Sequence, residues 1–242
     1  MEMKSIKNYF TELIGLVVLL TSCNSERNQG QQLDTVNTEN MSTSELENIG
    51  FTKIKNPETF EVGIKYLDAA AFKGSGKAAQ ELGLRYAYGN GVKKDYWLAK
   101  TYLKKAAFNE VTQFTLGRII FENATSELDY KEAYDCFNRS TYGEYDNYSE
   151  YMLGYMNLFG LGTLKNYKIA YEYFDASTKR PDSDTSYGAD ILGLGDAKYY
   201  LGLMALEGLG CSKDNKLAEA YFSNGFLSNA CKYMLGVMHY NG

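Results

Sequence analysis

The sequence contains few of the residues that carry most acid–base and metal chemistry. Among its 242 residues there is one His, His239, together with one Trp and two Pro. Histidine is the side chain whose charge changes closest to neutral pH, and it is a frequent metal ligand. A single copy gives little basis for a catalytic or metal-binding cluster, so we expect no catalytic residues, no metal and no cofactor.

A basic surface is also missing. Lys and Arg number 25 against 30 Asp and Glu, which gives a formal net charge of −5. Nucleic-acid binding relies on clustered positive charge that neutralises phosphates, so a nucleic acid is not an expected partner. A hydrophobic fraction of 45% and 22 tyrosines supply enough apolar surface for a core, which excludes a chain that is disordered throughout.

The N-terminus has the pattern of a bacterial export signal. Lys4 and Lys7 precede an apolar run of eight residues, Leu13 to Leu20, and Thr21-Ser22-Cys23 follows. This order is typical of a secretory signal, and the run is too short to cross a membrane core of about 30 Å. The ending resembles a lipobox, whose Cys is lipidated. We expect a signal peptide over residues 1–22 and a lipid-anchored envelope protein, at the outer membrane or facing the periplasm. In the alternative, Cys23 is an ordinary residue after a conventional signal.

Residues 23–56 are predominantly polar. They are rich in Asn, Gln, Ser, Thr and Glu, and their few apolar residues show no sustained period. Such a stretch buries too little surface to offset the entropy lost on ordering. We expect a flexible tether here, with at most a weak helical turn near 44–47, followed by a folded domain over 57–242.

The rest of the chain repeats. A Leu-Gly pair recurs five times, with successive Leu residues 34, 37, 48 and 34 positions apart. An Ala lies sixteen residues after four of these glycines, and a bulky pair follows it. Features that keep one register identify a true repeat. The Leu-Gly pairs are Leu82-Gly83, Leu116-Gly117, Leu153-Gly154, Leu201-Gly202 and Leu235-Gly236, and the alanines are Ala99, Ala133, Ala170 and Ala218.

Each unit is predicted to be two helices joined by a turn. Ala78, Leu82 and Tyr86 share one face of a first helix, and Asp95 is a candidate N-cap for the second. Gly-x-Gly pairs follow three of the Leu-Gly pairs and supply positive φ angles where the first helix ends. Because no strand precedes them, they are predicted to be turns rather than phosphate-binding loops. They are Gly89/Gly91, Gly160/Gly162 and Gly208/Gly210.

This pattern resembles the Sel1-like repeat family, relatives of the tetratricopeptide fold. The clearest copy spans residues 78–110 and carries Leu-Gly, Tyr, Gly-x-Gly-Val, Asp and Ala-Ala at the family's positions. Further copies lie at 150–178 and 198–226, and a copy without Gly-x-Gly lies at 113–140. The resemblance implies an all-α, right-handed α/α solenoid of helix-turn-helix repeats over about residues 60–242.

Three segments depart from the repeat. Residues 60–74 look like the second helix of an incomplete leading unit, and 231–242 look like a first helix alone, which would leave an apolar face uncapped. Residues 179–196 lengthen one unit. Such an insertion is either a neutral surface loop or a binding loop.

The cysteines after Cys23 are predicted to remain unpaired. Cys211 follows a Gly-x-Gly turn and Cys231 opens the next first helix, so one helix of roughly 20 Å separates them, whereas the Cα atoms of a disulfide lie within about 7 Å. With Cys136, they are expected to pack as small apolar residues. A cysteine-rich branch of the resembled family is associated with β-lactam binding, but this sequence lacks that branch's Cys pairs. His239 occupies the position of Tyr86 and is predicted to pack on the apolar face.

A binding surface is expected on the first helices. Offsets −2, +2 and +5 from the Leu-Gly glycine share a face beside the packing stripe, and the Tyr, Met and Phe found there suit a protein partner. The alternative is that these side chains pack between repeats. The candidates are Glu81, Arg85, Tyr88, Met152, Met156, Phe159, Tyr200, Met204 and Glu207.

These features favour one function and leave two others open. The first is a membrane-anchored, non-enzymatic scaffold that binds an unidentified protein through the concave face of the solenoid. The second is a hydrolase acting on cell-wall material or β-lactams, which the single His disfavours. The third is an assembly factor that docks through its uncapped C-terminal helix.

Overall fold

The computed structural model describes residues 38–106, 109–141, 146–179, 190–225 and 228–241. These residues form the all-helical, right-handed α/α solenoid that the sequence predicts. The described part contains eleven α-helices: α1 (Thr43–Lys53), α2 (Phe60–Phe72), α3 (Gly76–Tyr88), α4 (Tyr96–Lys105), α5 (Glu110–Glu122), α6 (Glu127–Arg139), α7 (Asp146–Phe159), α8 (Tyr167–Lys179), α9 (Asp190–Glu207), α10 (Asn215–Asn224) and α11 (Asn229–Asn241). A 3₁₀ turn, Pro57–Thr59, precedes α2.

The helices pair in chain order into five repeats, α1/α2 to α9/α10, and α11 is the first helix of a sixth. Each second helix packs on its own first helix and on the first helix of the next repeat. First helices also pack on one another, as α3 on α5, α7 on α9 and α9 on α11. Because the first helices approach each other across repeats, they form the inner side of the solenoid.

The turns and caps agree with the sequence prediction. Gly89 has a φ of 77° at the end of α3, and all six glycines of the Gly-x-Gly pairs have positive φ. The carboxylate of Asp95 accepts a 2.9 Å hydrogen bond from the backbone N–H of Leu98 in the first turn of α4. An N-cap of this kind satisfies a backbone donor that has no partner within the helix.

Close packing explains the glycine of the Leu-Gly pair. A Cβ added to Gly83 would lie 2.7 Å from Cγ of Leu103, and one added to Gly154 would lie 2.8 Å from Cδ1 of Phe174. In both repeats the contacting side chain lies twenty residues after the glycine, on the second helix. Each of these two side chains is at most 1% exposed, so the glycine permits the helix approach that buries it.

The second glycine of the Gly-x-Gly pair joins successive repeats. A Cβ on Gly162 would overlap the backbone of Tyr130 at the start of α6, and one on Gly210 would overlap the backbone of Tyr167 at the start of α8. This glycine therefore lets the turn of one repeat touch the second helix of the repeat before it. The sequence predicted the turn but not this contact.

Gly91, the second glycine of the first Gly-x-Gly pair, has the turn conformation that the sequence predicts but a different neighbour from the other two. It is exposed, because it lies in the turn and not in the buried packing between the helices. A Cβ there would lie 2.5 Å from Cζ of Phe60, at the start of α2. Its neighbour is thus a side chain on the preceding repeat, whereas Gly162 and Gly210 meet backbone. The positive φ of 74° remains the stronger reason for glycine at this turn.

The folded part begins earlier than predicted. Helix α1 starts with a capping box, in which Ser42 and Glu45 bond reciprocally, and its Leu46 is fully buried. A Cβ on Gly50 would lie 2.7 Å from Cδ2 of Leu67, so Gly50 is the structural equivalent of the Leu-Gly glycine in the later repeats. The predicted flexible tether over 23–56 is therefore wrong for α1, and the leading unit predicted to be incomplete is a full helix pair.

The residues before α1 are held in place as well. The Nζ of Lys73 donates hydrogen bonds of 2.7–2.9 Å to the backbone oxygens of Thr38, Glu39 and Met41. The predicted signal peptide, the lipidation site Cys23 and the rest of the tether up to residue 37 lie outside the described residues. Of the helices in the described ranges, none is long and apolar enough to cross a membrane.

The predicted insertion at 179–196 divides into two parts. Residues 180–189 lie outside the described residues. Residues 190–196 belong to α9, so the prediction of a loop over the whole segment is wrong for its second half.

Candidate protein-interaction groove

An aromatic row runs along the inner side of α7. Tyr148, Tyr151, Tyr155 and Phe159 follow one another at spacings of three, four and four residues, which places them on one helix face. Consecutive ring centroids lie 5.9 Å, 6.4 Å and 4.6 Å apart. Tyr200 of α9 joins the row, with its centroid 5.9 Å from that of Tyr155 and 6.2 Å from that of Phe159.

Three members of the row, Tyr148, Tyr151 and Tyr155, line an open cavity of about 440 Å³ between α5, α7 and α9. This volume lies within the range of about 300–1,000 Å³ that is usual for ligand pockets. We call the cavity the tyrosine groove. It is lined by Arg118, Phe121 and Glu122 of α5, by Tyr148, Tyr151, Met152 and Tyr155 of α7, and by Asp196 of α9.

The aromatic rings of the groove are supported from behind. Tyr200 stacks on the buried ring of Phe174, with centroids 5.2 Å apart and planes 11° from parallel. Phe121 meets Tyr155 edge to face at 6.1 Å. Because rigid aromatic side chains lose little conformational entropy on binding, such a supported surface is typical of interaction hot spots.

Charged side chains occupy the rim of the groove. The guanidinium of Arg118 lies 4.8 Å from the ring centroid of Tyr88, and its Nε lies 3.7 Å from Oε1 of Glu122. Asp196 of α9 lines the same cavity and is exposed, yet partial desolvation raises the pKa of its carboxyl. Burial also raises the pKa of the Tyr148 and Tyr151 phenols, so these two side chains of the groove are neutral hydrogen-bonding groups at neutral pH.

The structure divides the nine predicted contact residues. Met156 and Met204 are at most 1% exposed, so their prediction as partner-binding residues is wrong, whereas Met152 lines the tyrosine groove and stays a candidate. The side chains of Met156 and Met204 lie in the contact between neighbouring helices. For these two residues the alternative prediction, packing between repeats, is correct.

The other six predicted residues reach the surface to different degrees. Tyr88 and Phe159 are 44% and 46% exposed, Glu207 is exposed, and Tyr200 belongs to the aromatic row. Arg85 is occupied within the solenoid, because its Nε donates to Glu81 at 2.7 Å and its guanidinium lies 5.1 Å from the ring centroid of Phe60.

Most of the groove was not predicted from the sequence. Arg118, Tyr148, Tyr151, Tyr155 and Asp196 lie at offsets +1, −6, −3, +1 and −6 from the glycine of their own repeat, not at the predicted −2, +2 and +5. A signal was present, since four aromatic residues in α7 follow helical spacing. The rotation of each first helix about its axis decides which offset faces inward, and the repeat pattern does not specify that rotation.

The predicted repeat-structural residues pack as expected where a second helix covers them. Leu82, Ala99, Leu153 and Leu201 are fully buried, and Leu116 is 5% exposed. Gly236 differs, because a Cβ there would meet no atom within 4 Å. Leu235, beside it in α11, is only half-buried.

His239 is not the packing residue that the sequence predicts. It is exposed, and its Nε2 lies 3.3 Å from Oε1 of Glu219. The matching Tyr86 is covered because its ring stacks on Tyr102 of the second helix, at 5.8 Å between centroids. No described helix covers α11 in this way, so His239 stays at the surface.

None of the three described cysteines forms a disulfide bond. Cys136 and Cys231 are buried among apolar side chains, as the sequence predicts, and Cys211 is half-buried. Burial raises the pKa of the Cys136 thiol to about 12, which makes it unreactive. The described residues hold no group of three His, Cys, Asp or Glu side chains arranged to bind a metal ion.

The chain matches the family model described as Sel1 repeat over residues 76–107, 147–180, 195–224 and 230–242. The third repeat, without Gly-x-Gly, and the first repeat, recognised from its packing, lie outside these matches. Repeats of this family generally act as non-catalytic scaffolds for protein–protein interaction. No curated protein matches the sequence.

Solved structures with the same fold come from bacteria. A Sel1 repeat protein from Oxalobacter formigenes is 22% identical over 76% of this chain and 72% of its own, with a TM-score of 0.57. The protein c5321, a protective antigen of uropathogenic Escherichia coli strains with an SLR fold, is 20% identical over 83% of this chain and 42% of its own, with a TM-score of 0.61. With the repeat register, the glycine contacts and the family match in agreement, this chain is a Sel1 repeat protein.

Proposed function

We propose that this protein is a non-enzymatic scaffold that binds a partner protein in the tyrosine groove and is held at the bacterial envelope by a lipid on Cys23. The observation that carries the binding proposal is the row Tyr148, Tyr151, Tyr155 and Phe159, which stands open on the inner side of the solenoid. Tyrosines of this kind contribute strongly to protein interfaces because each offers a large apolar face and a hydrogen-bonding hydroxyl.

A capture experiment with matched variants tests the binding proposal. Full-length protein carrying Tyr155→Ala or Glu122→Arg is crosslinked in envelope membranes and compared with the wild type. The control is Glu172→Arg, an identical charge reversal at an exposed position of α8 on the outer side of the solenoid. We expect one protein to be captured by the wild type and the control, and to be lost with both groove variants.

Two results would contradict this proposal. Equal capture by all four proteins would show that the partner binds elsewhere on the solenoid. Loss of the partner in the Glu172→Arg control would show an effect of net charge rather than of the groove.

The proposed anchor has its own test. Support for it comes from the sequence alone, in the lipobox-like ending before Cys23. Cells producing the wild type or Cys23→Ser are fed an alkyne-bearing fatty acid, and the protein is examined for label. We expect label on the wild type and none on the variant. An unlabelled wild type would contradict lipidation and favour a conventional signal.

A second candidate function is docking through α11. Its Tyr233 and Tyr240 are 71% and 90% exposed, and Gly236 between them is uncovered. A cavity of about 550 Å³ lies between α9, α10 and α11 and is lined on α11 by Met234, Val237, Met238 and His239. The partner would be an amphipathic helix that sets one bulky side chain on Gly236. Gly236→Arg should abolish its capture while Glu172→Arg leaves it unchanged.

A further inference from the structure

Some charged side chains of the tyrosine groove are paired within the solenoid and others are not. Arg118 is engaged on both sides, by the ring of Tyr88 at 4.8 Å and by Glu122 at 3.7 Å. Asp196 takes part in none of the ion pairs among the described residues. The groove therefore contains one carboxylate whose charge is balanced by no side chain of the solenoid in this part of the chain.

The surroundings of Asp196 favour a cation. Tyr148 and Tyr151 line the same cavity as Asp196, and the carboxylate lies close enough to raise the pKa of both phenols, in addition to the larger effect of burial. The face of a tyrosine ring attracts a cation within about 6 Å of its centroid. A positive group beside Asp196 would thus interact with a charge and with aromatic rings at once.

We propose that the tyrosine groove binds an arginine or lysine side chain of an extended partner peptide, with Asp196 as its counter-ion and Tyr148 and Tyr151 along its aliphatic stem. The proposal rests on the proposed scaffold function and adds the chemistry of the partner. A peptide carboxylate in the same place would meet the negative charge of Asp196, and a chain of net charge −5 attracts basic partners at long range.

A pair of peptides isolates the contribution of the charge. The first is acetyl-Gly-Leu-Arg-Leu-Gly-amide, and the second carries citrulline, the neutral isostere of arginine, in place of Arg. Both are titrated into the full chain by isothermal calorimetry at low ionic strength. We expect the arginine peptide to bind about tenfold more tightly, which corresponds to about 1.4 kcal/mol.

Two variants locate that difference. Asp196→Asn keeps the shape of the side chain and removes its charge, so it should make the two peptides bind equally. The matched control is Glu172→Gln, at an exposed position of α8 on the outer side of the solenoid. It should leave the tenfold preference unchanged. Thermal unfolding of both variants confirms that the solenoid is intact.

The remaining outcomes decide against the inference in different ways. Equal binding of both peptides by the wild type would overturn the cation proposal, while the capture test with Tyr155→Ala could still support the scaffold. A preference that persists in Asp196→Asn would place the cation elsewhere and overturn the assignment. Binding of free butylguanidinium as tightly as the arginine peptide would indicate a small-molecule site instead of a peptide groove.

Discussion

Gly202 and Gly236 hold the same position in successive first helices, but their surroundings are opposite. A Cβ on Gly202 would overlap the ring of Phe222, which is fully buried, whereas a Cβ on Gly236 would meet no atom within 4 Å. The glycine is therefore required by the bulky side chain twenty residues later, not by the helix that contains it. Without that side chain, glycine retains only its cost in a helix, about 1 kcal/mol relative to Ala.

The same difference extends along the two helices. In the complete repeat, Leu201 is fully buried and Cys231 of the following helix closes the core beside Phe222. In α11, Leu235 is half-buried and His239 is exposed. The same sequence pattern is thus buried in α9, where a second helix covers it, and exposed in α11, where no described second helix does.

The largest expected effect is the loss of the covering side chain. Phe222→Ala should lower the free energy of unfolding by about 3–5 kcal/mol, because it removes a buried ring and leaves a cavity above Gly202. Phe72→Ala is the control, since Phe72 is 86% exposed and its loss should change stability little. Urea unfolding followed by circular dichroism measures both. A loss below about 1 kcal/mol for Phe222→Ala would show that the ring adds little to the core.

A smaller loss is expected from the other side of the same contact. Gly202→Ala should cost about 1–3 kcal/mol, because the new methyl group forces the ring of Phe222 to move. In the double variant with Phe222→Ala the methyl group has room, so the two losses should not add. Additive losses in the same urea experiment would mean that Gly202 and Phe222 do not share one packing site.

The sequence analysis identified five Leu-Gly positions but not the equivalent position in the first repeat, Gly50. In the later repeats the contacting side chain lies twenty residues after the glycine, but Leu67 lies seventeen after Gly50, and Ile49 replaces the leucine. The short connection has no Gly-x-Gly, so every feature that defined the register is altered at once. Only the contact between helices, which the sequence does not display, identifies the first repeat.

The groove was harder to predict than the repeats. Repeat residues are specified within one helix pair, and therefore keep fixed spacings along the chain. The groove combines Arg118, Tyr151 and Asp196 from three different repeats, so its composition depends on how each repeat is rotated against the next. The buried methionines show the consequence, since an error of about one helix position exchanges the inner surface for the packing interface.

The contact at Gly50 in the first repeat is intermediate between those at Gly202 and Gly236. Gly50→Ala should cost about 1–2 kcal/mol, less than Gly202→Ala, because the new methyl group meets the end of a leucine, which moves more easily than a ring. Urea unfolding of the full chain measures it. A neutral or stabilising effect would contradict the packing of α1 on α2 and would restore the tether predicted for these residues.

The smallest effect, of opposite sign, is expected at Gly236. Gly236→Ala should raise the free energy of unfolding by up to about 1 kcal/mol, because alanine is the better helix former and the space beside it is empty. Thermal unfolding at two protein concentrations measures the change. If the variant is instead less stable, and more so at the higher concentration, a second copy covers Gly236 in solution, because a contact between copies contributes stability that depends on concentration. The difference between Gly202 and Gly236 would then belong to the single chain and not to the assembled protein.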